Sequence, residues 1–191
     1  MFIGWPTLEL GSFASTPILP AVGTPAAATR GADLLSAPLA RLGIRDSGAC
    51  TMLGTFMIPQ AAASFPQNVF QIDSGNDVIR YLARSNVGAS ALTLYRLAPG
   101  AAQASVGSVT LGSPFRFGMS VDAAGRAAAS IDGGSVAAVT GGPTSGLTHV
   151  RVGMDSGGTE NLFGDIAYLD VLPYPVSDAQ LQALVAAMPL S

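Results

Sequence analysis

The stretch RAAASIDGGSVAAVTGG, residues 126–142, decides how the rest of the chain is read. Two runs of small and β-branched residues flank Asp132-Gly133-Gly134, and a second Gly-Gly closes the piece. Asp-Gly is a strong hairpin signal because both central turn residues must accept positive φ. The spacing therefore predicts two antiparallel strands, 126–131 and 135–139, joined at this tip. Just upstream, FRFGMSVDAAG (115–125) places Phe115, Phe117, Met119 and Val121 on one face and turns at residues 122–125. Three strands then follow one another as a meander. The tip also has a second reading, because an exposed loop at a sandwich rim is a place where a ligand can be met.

The same period-two pattern recurs in both directions. ACTMLGTFMI (49–58), ended by Pro59, is apolar throughout and fits a strand buried on both faces. NVFQIDSGNDVIRYLAR (68–84) reads as strand, turn at Ser74-Gly75-Asn76, and strand, with Val78, Arg80, Leu82 and Arg84 facing away from Ile79, Tyr81 and Ala83. SALTLYRLA (90–98) sets Leu92, Leu94 and Arg96 against Thr93, Tyr95 and Leu97. ASVGSVTLG (104–112), LTHVRVGMD (147–155) and NLFGDIAYLDVLP (161–173) add further strands. Many short strands with glycine-rich turns predict an all-β fold, an antiparallel sandwich or barrel. One helix is expected near the C-terminus. Ser177 and Gln180 have capping-box spacing, Leu181, Leu184, Val185 and Met188 form an apolar stripe to lie on a sheet, and Pro189 ends it.

Composition narrows the function classes. The 191 residues are 49% hydrophobic and only 11% charged, with a net charge of −3. All nine basic residues are arginine and ten of the twelve acids are aspartate. A chain without a basic cluster has no electrostatic footprint for nucleic acid. The N-terminus MFIGWPTLEL lacks a basic leader and is broken by Gly4 and Pro6, so no secretion signal is expected. No apolar run approaches the ~20 residues that span a bilayer, so membrane insertion is not expected. The single Cys50 excludes an internal disulfide and reads as a buried thiol. Residues 1–30 differ in character: a strand-like FIGWPTLEL precedes a Pro-, Ala- and Thr-rich stretch, which reads as an extended arm and linker. Its apolar residues Phe2, Ile3, Trp5, Leu8 and Leu10 are candidates for docking to a sheet edge or a sister subunit.

The order of these pieces resembles the concanavalin A-like, laminin-G-like jelly rolls, and within them the domains of tail-fibre and head-spike proteins of tailed phages and gene-transfer particles. The likeness is carried by the hairpin at residues 130–134, Arg151-Val152-Gly153, the loop Ser156-Gly157-Gly158, Gly164-Asp165-Ile166, and the run SDAQLQAL (177–184). TPAAATRGADLL (24–35) resembles the lead-in to such domains, and GWPTLELGSFASTPILP the last strand of a carbohydrate-binding-like jelly roll that precedes it in longer fibre proteins. The resemblance covers most of residues 24–188. It implies an antiparallel jelly-roll β-sandwich over 31–191 with one short C-terminal helix and an extended N-terminal arm over 1–30.

Candidate chemistry is sparse. The glucanases of this fold resemble one another in a Glu-x-Asp-x-x-Glu strand, and this chain has only Glu9 and Glu160, far apart. Asp73 and Asp77 flank a turn, where acids commonly bond the local backbone. His149, the only histidine, lies beside no Gly-x-Ser-x-Gly serine and alternates with Leu147 and Arg151 on a strand face. Oxygen-bearing residues cluster in two loops: Asp73, Asn76 and Asp77 in one, Asp155, Glu160 and Asn161 in the other. These six are the candidate ligand-binding residues. The second trio is also a candidate calcium site, calcium being a common rim ligand of laminin-G-like domains and a cation that prefers hard oxygens. Trp5, Tyr81, Tyr95, Tyr168 and Tyr174 are candidate sugar platforms, and Arg80, Arg84 and Arg96 candidate partners for acidic sugars or plain strand-face charges.

The reading that results is a non-enzymatic virion-surface component of a phage-like particle that binds host-surface polysaccharide. It would be made in the host cytoplasm without a cofactor and assembled as a homo-oligomer, such as a trimer, with other virion proteins. Two alternatives stay open: a structural decoration or spacer without ligand, and a polysaccharide hydrolase or esterase using Asp73, Asp77 or His149.

Overall fold

The computed structural model describes residues 35–97 and 101–190. The predicted alternation resolves there into eleven strands, one 3₁₀ turn and one helix. Sheet A holds β1 (Leu35–Pro38), β10 (His149–Val152), β3 (Gln67–Asp73), β4 (Arg80–Ser85), β5 (Ala91–Leu97) and β6 (Ala102–Ser108), in that spatial order. Sheet B holds β11 (Asp165–Leu172), β2 (Cys50–Met57), β7 (Pro114–Val121), β8 (Ala127–Ile131) and β9 (Ala137–Val139). Every pairing is antiparallel. The expected all-β sandwich with a C-terminal helix is therefore what the chain forms. The N-terminal arm expectation, with Phe2, Ile3, Trp5, Leu8 and Leu10, lies outside the described residues.

The inner faces of the two sheets meet in one core built from alternate residues. Met52, Phe56, Phe70, Ile72, Tyr81, Leu92, Leu94, Phe117 and Met119 are fully buried there. Phe56 meets Phe70 edge to face, with ring centroids 5.2 Å apart. A second cluster forms on the outer face of sheet B. There α1 (Asp178–Ala187) lays Leu181 and Val185 on Leu53 and Ala128. Gly118 permits this approach, since a β-carbon there would stand 2.5 Å from Val185 Cγ2. The capping box is complete: the Gln180 amide donates to Ser177 Oγ and the Ser177 amide to Gln180 Oε1. β2 is accordingly buried on both faces, as its unbroken apolar run predicted.

Five features depart from expectation. The Asp132-Gly133 turn is real, with φ of 52° and 76° and the Gly134 amide donating to the Ile131 carbonyl. The hairpin is wider than predicted, however, because β9 starts only at Ala137. Its tip is no free ligand loop either: Gln182 Nε2 of α1 donates to the Gly134 carbonyl, and a β-carbon on Gly133 would lie 2.7 Å from Ala186 Cβ. Leu147 precedes β10 and points into the core rather than sharing a face with His149. β1 and the 3₁₀ turn Leu39–Leu42 were not expected, since LSAP carries no alternation; β1 is a strand because β10 offers it an edge. Finally, Arg96 lies inside the sandwich at 1% exposure, opposite Tyr81, and donates to the Gly142 carbonyl at 2.9 Å. It takes no part in the surface that bears Arg80 and Arg84.

Candidate functional site

With sheet B covered by α1, the outer face of sheet A is the polar surface of the sandwich. Register places Asp73 between His149 and Arg80, and Gln71 between Arg151 and Leu82. Arg84 stands opposite Thr93, and Tyr95 opposite Leu82. A register shift between Asn68 and Phe70 turns Asn68 to the same face as Gln71, and Asn68 Nδ2 donates to Gln71 Oε1 at 2.9 Å.

Three arginines and three acids interlock across these strands. Arg151 Nε donates to Asp73 Oδ2 at 2.5 Å, and the Asp73 side chain is fully buried. Gln71 Nε2 links the two aspartates, donating to Asp73 Oδ2 and Asp77 Oδ1, each at 2.9 Å. Arg80 reaches Asp77 at 3.0 Å. Glu160 arrives from the loop between β10 and β11, pairs with Arg84, and lies 3.5 Å from Arg80. Arg84 also covers the ring of Tyr95, 4.7 Å from its centroid, and Asn86 bonds the Tyr95 hydroxyl. Such interlocked charges compensate one another in a partly buried setting, where breaking one pair exposes the full cost of the other.

The β10–β11 loop lies over β3. The Asn68 amide donates to the Glu160 carbonyl at 3.1 Å, Asn68 Nδ2 to the Met154 carbonyl, and the Ser156 amide to Asp77 Oδ1 at 3.3 Å. Buried Asp155 ties the loop to itself by accepting from the Thr159 amide, the Thr159 hydroxyl and the Glu160 amide. Four atoms of this region, Asn68 Oδ1, Arg80 Nε, Arg84 Nε and Glu160 Oε2, are buried without a hydrogen-bond partner. Each is a buried polar group that no other protein atom satisfies with a hydrogen bond.

The six candidate ligand residues thus divide. Asp73, Asp77 and Glu160 join the arginine network. Asn76 serves its own turn, accepting from the Val78 amide and the Ser74 hydroxyl. Asp155 and Asn161 hold the β10–β11 loop, Asn161 by donating to the Gly158 carbonyl. Among the described residues no group of three or more His, Cys, Asp or Glu side chains is placed to hold a metal: Asp155 accepts from Thr159 and the Glu160 amide, while Glu160 pairs with Arg84. Burial alone would raise the Asp77 carboxyl, yet hydrogen bonds from the Ser156 side chain, Gln71 and the Ser156 amide, with the charge of Arg80, hold it below the ordinary carboxylate value. Of the aromatic candidates, Tyr95 alone stands on this face: Tyr81 is in the core, Tyr168 packs near α1, and Tyr174 is exposed after β11. Trp5 lies outside the described residues. Asn68, Gln71 and Arg151 belong to the site and were not expected there.

No family model matches the chain, and no curated protein is significantly similar to it. Solved structures are. The CBM40 module of the Ruminococcus gnavus IT-sialidase, solved with bound α2,3-sialyllactose, superposes with a TM-score of 0.58 at 14% identity over 76% of this chain and 86% of that one. The fold is a concanavalin A-like jelly roll. The jelly roll also matches the heptameric SAP-like pentraxin of Limulus polyphemus, with a TM-score of 0.54 at 16% identity over 80% of this chain and 71% of that one. A third match is to the NanB sialidase of Streptococcus pneumoniae, with a TM-score of 0.61 at 14% identity over 82% of this chain but 26% of that longer one.

Proposed function

We propose that the protein is a non-catalytic glycan-binding module that takes an acidic sugar on the outer face of sheet A, beside Arg84, Tyr95 and Asn86. One observation carries the reading. Arg84 is a strand-borne guanidinium stacked on an aromatic ring, with a loop carboxylate against it and its Nε unbonded. A sugar carboxylate presents the same group as Glu160 and would compete for the same guanidinium, while the Tyr95 ring edge and the Asn86 amide suit a sugar's mixed apolar and hydroxyl surface. The likeness to carbohydrate-binding modules, one of them solved with a sialylated trisaccharide, supports the choice of an acidic glycan. Asp73 and Asp77 suit recognition better than hydrolysis: Asp73 accepts from Arg151, Gln71 and the Gly75 amide, and Asp77 is held as a carboxylate.

The proposal extends to where the module works. We propose the surface of a phage-like particle facing host polysaccharide, a reading supported by the sequence resemblance alone, and failure to find the protein in purified particles by mass spectrometry would remove that part.

Calorimetric titration tests the binding itself. Sialyllactose is expected to bind and lactose not to. Arg84→Ala is expected to lower the affinity more than tenfold, as loss of a charge-assisted hydrogen bond does. A flat titration with every carboxylated oligosaccharide, or an unchanged affinity in Arg84→Ala, refutes the site.

A further inference from the structure

Four loops meet at one end of the sandwich, the end where β3 begins and β4 stops. The Gly88 amide, in the turn after β4, donates to the Ala62 carbonyl of the β2–β3 connection at 2.9 Å. The Gly112 amide of the β6–β7 loop donates to the Ile58 carbonyl at 2.9 Å. Gln67, fully buried at the first position of β3, spends its side-chain amide on two of the loops. Its Nε2 donates to the Gln60 carbonyl at 2.9 Å, and its Oε1 accepts from the Phe163 amide at 3.0 Å. Each of the four loops carries one large apolar side chain in water: Phe65 and Phe163 are each 60% exposed, Val87 49% and Leu111 38%. Single exposed apolar residues need no explanation, but four of them on loops tied together make one end of the molecule apolar, and such a surface marks a contact. None of residues 58–66, 86–89, 109–113 or 161–164 is charged.

We propose that this uncharged apolar end continues the acidic-sugar site and holds the neutral sugars that follow the carboxylated one. The inference rests on the glycan reading of Arg84, and it names the ligand as a glycan chain rather than a single acidic sugar. Continuity selects the occupant. The β10–β11 loop runs across the start of β3, its Glu160 carbonyl accepting from the Asn68 amide and its Phe163 amide donating to Gln67. It thus carries Glu160 to Arg84 and, three residues on, Phe163 to the apolar end. Asn68 is the register partner of Arg84, and Gln67 lies one residue, about 3.3 Å, beyond it. Phe65 stands two residues before Gln67. A sugar bound by its carboxylate at Arg84 would lead its next rings over Phe163 and Phe65. A sugar ring presents a face of C–H groups, which an aromatic face accepts while the hydroxyls stay in water. Rings carried on loops that a buried glutamine already fixes lose little freedom when the ligand arrives.

Calorimetric titration of the full chain with two probes, the methyl glycoside of sialic acid and sialyllactose, separates the two parts of the surface. Wild type is expected to hold sialyllactose about tenfold more tightly, the scale of one aromatic contact. The double variant Phe65→Ala/Phe163→Ala is expected to abolish that advantage and leave the affinity for the methyl glycoside unchanged, whereas Arg84→Ala weakens both. Phe163→Trp, which keeps a ring, is expected to keep the advantage. Both phenylalanines are exposed, so the double variant should retain the wild-type thermal midpoint and the wild-type mass in light scattering. Equal affinities for the two probes in wild type, or an advantage that survives the double variant, overturn the extension and leave the Arg84 site standing. A double variant that weakens both probes alike overturns it too. So does one whose mass falls, which would mean that a sister copy covers the rings. A flat titration with both probes refutes the Arg84 site, and the extension falls with it.

Discussion

Asp73 has no exposed surface, and its carboxylate is held by Arg151 and Gln71. Removing one partner of such a pair leaves a charge stranded away from water, so Arg151→Ala is expected to destabilise the fold by about 3–5 kcal/mol in urea unfolding. Asp77, a few ångströms away, is more exposed and behaves differently. Its carboxyl is held below the ordinary value of 3.8, so its stabilisation is in place above that pH and disappears as the pH falls through the lowered folded value. Asp77→Asn removes this dependence. The gap in unfolding midpoint between wild type and Asp77→Asn should therefore narrow on acidification below 3.8, and a constant gap would show that the contact is not electrostatic. The two acids were legible as a loop pair in DSGND. Their partners were not, because the shift at Asn68 breaks strict alternation and brings Asn68 and Gln71, three residues apart, onto one face.

At the scale of elements, the helix was the most legible feature. Its cap, stripe and stop are all local, and the structure places each as the spacing implied. Ser177→Ala deletes one half of the capping box and is expected to cost about 1 kcal/mol, read as a lower thermal midpoint. The strands were legible as strands but not in their limits. β1 depends on an edge supplied more than a hundred residues later, and the widened hairpin tip meets α1, which comes some fifty residues further on. The β10–β11 loop was visible as a run of polar residues, though not that Asp155 folds it back so that Glu160 meets Arg84. In the proposed site, Glu160 holds the place a sugar carboxylate would take. Glu160→Gln keeps the side chain's shape while removing its charge, so the affinity for sialyllactose is expected to rise several-fold in the same titration. Weaker binding would mean that Glu160 shapes the site rather than competing for it.

Over the whole molecule, an antiparallel all-β fold followed from period-two runs and glycine turns and the two-layer jelly roll from the resemblance, whereas the allocation of strands to sheets followed from neither. Neighbours in sheet A such as β10 and β3 are joined by no local signal, and only the folded register brings Arg151 to Asp73. That allocation has a geometric consequence. The strands of sheet B that carry α1 and the strands of sheet A that carry Arg84 and Tyr95 form opposite layers of the sandwich. A copy held by its helix side would keep the charged face free. A contact too feeble to hold one such module on a polysaccharide coat could then retain several held side by side, with the spacing between them setting which densities of sugar are gripped.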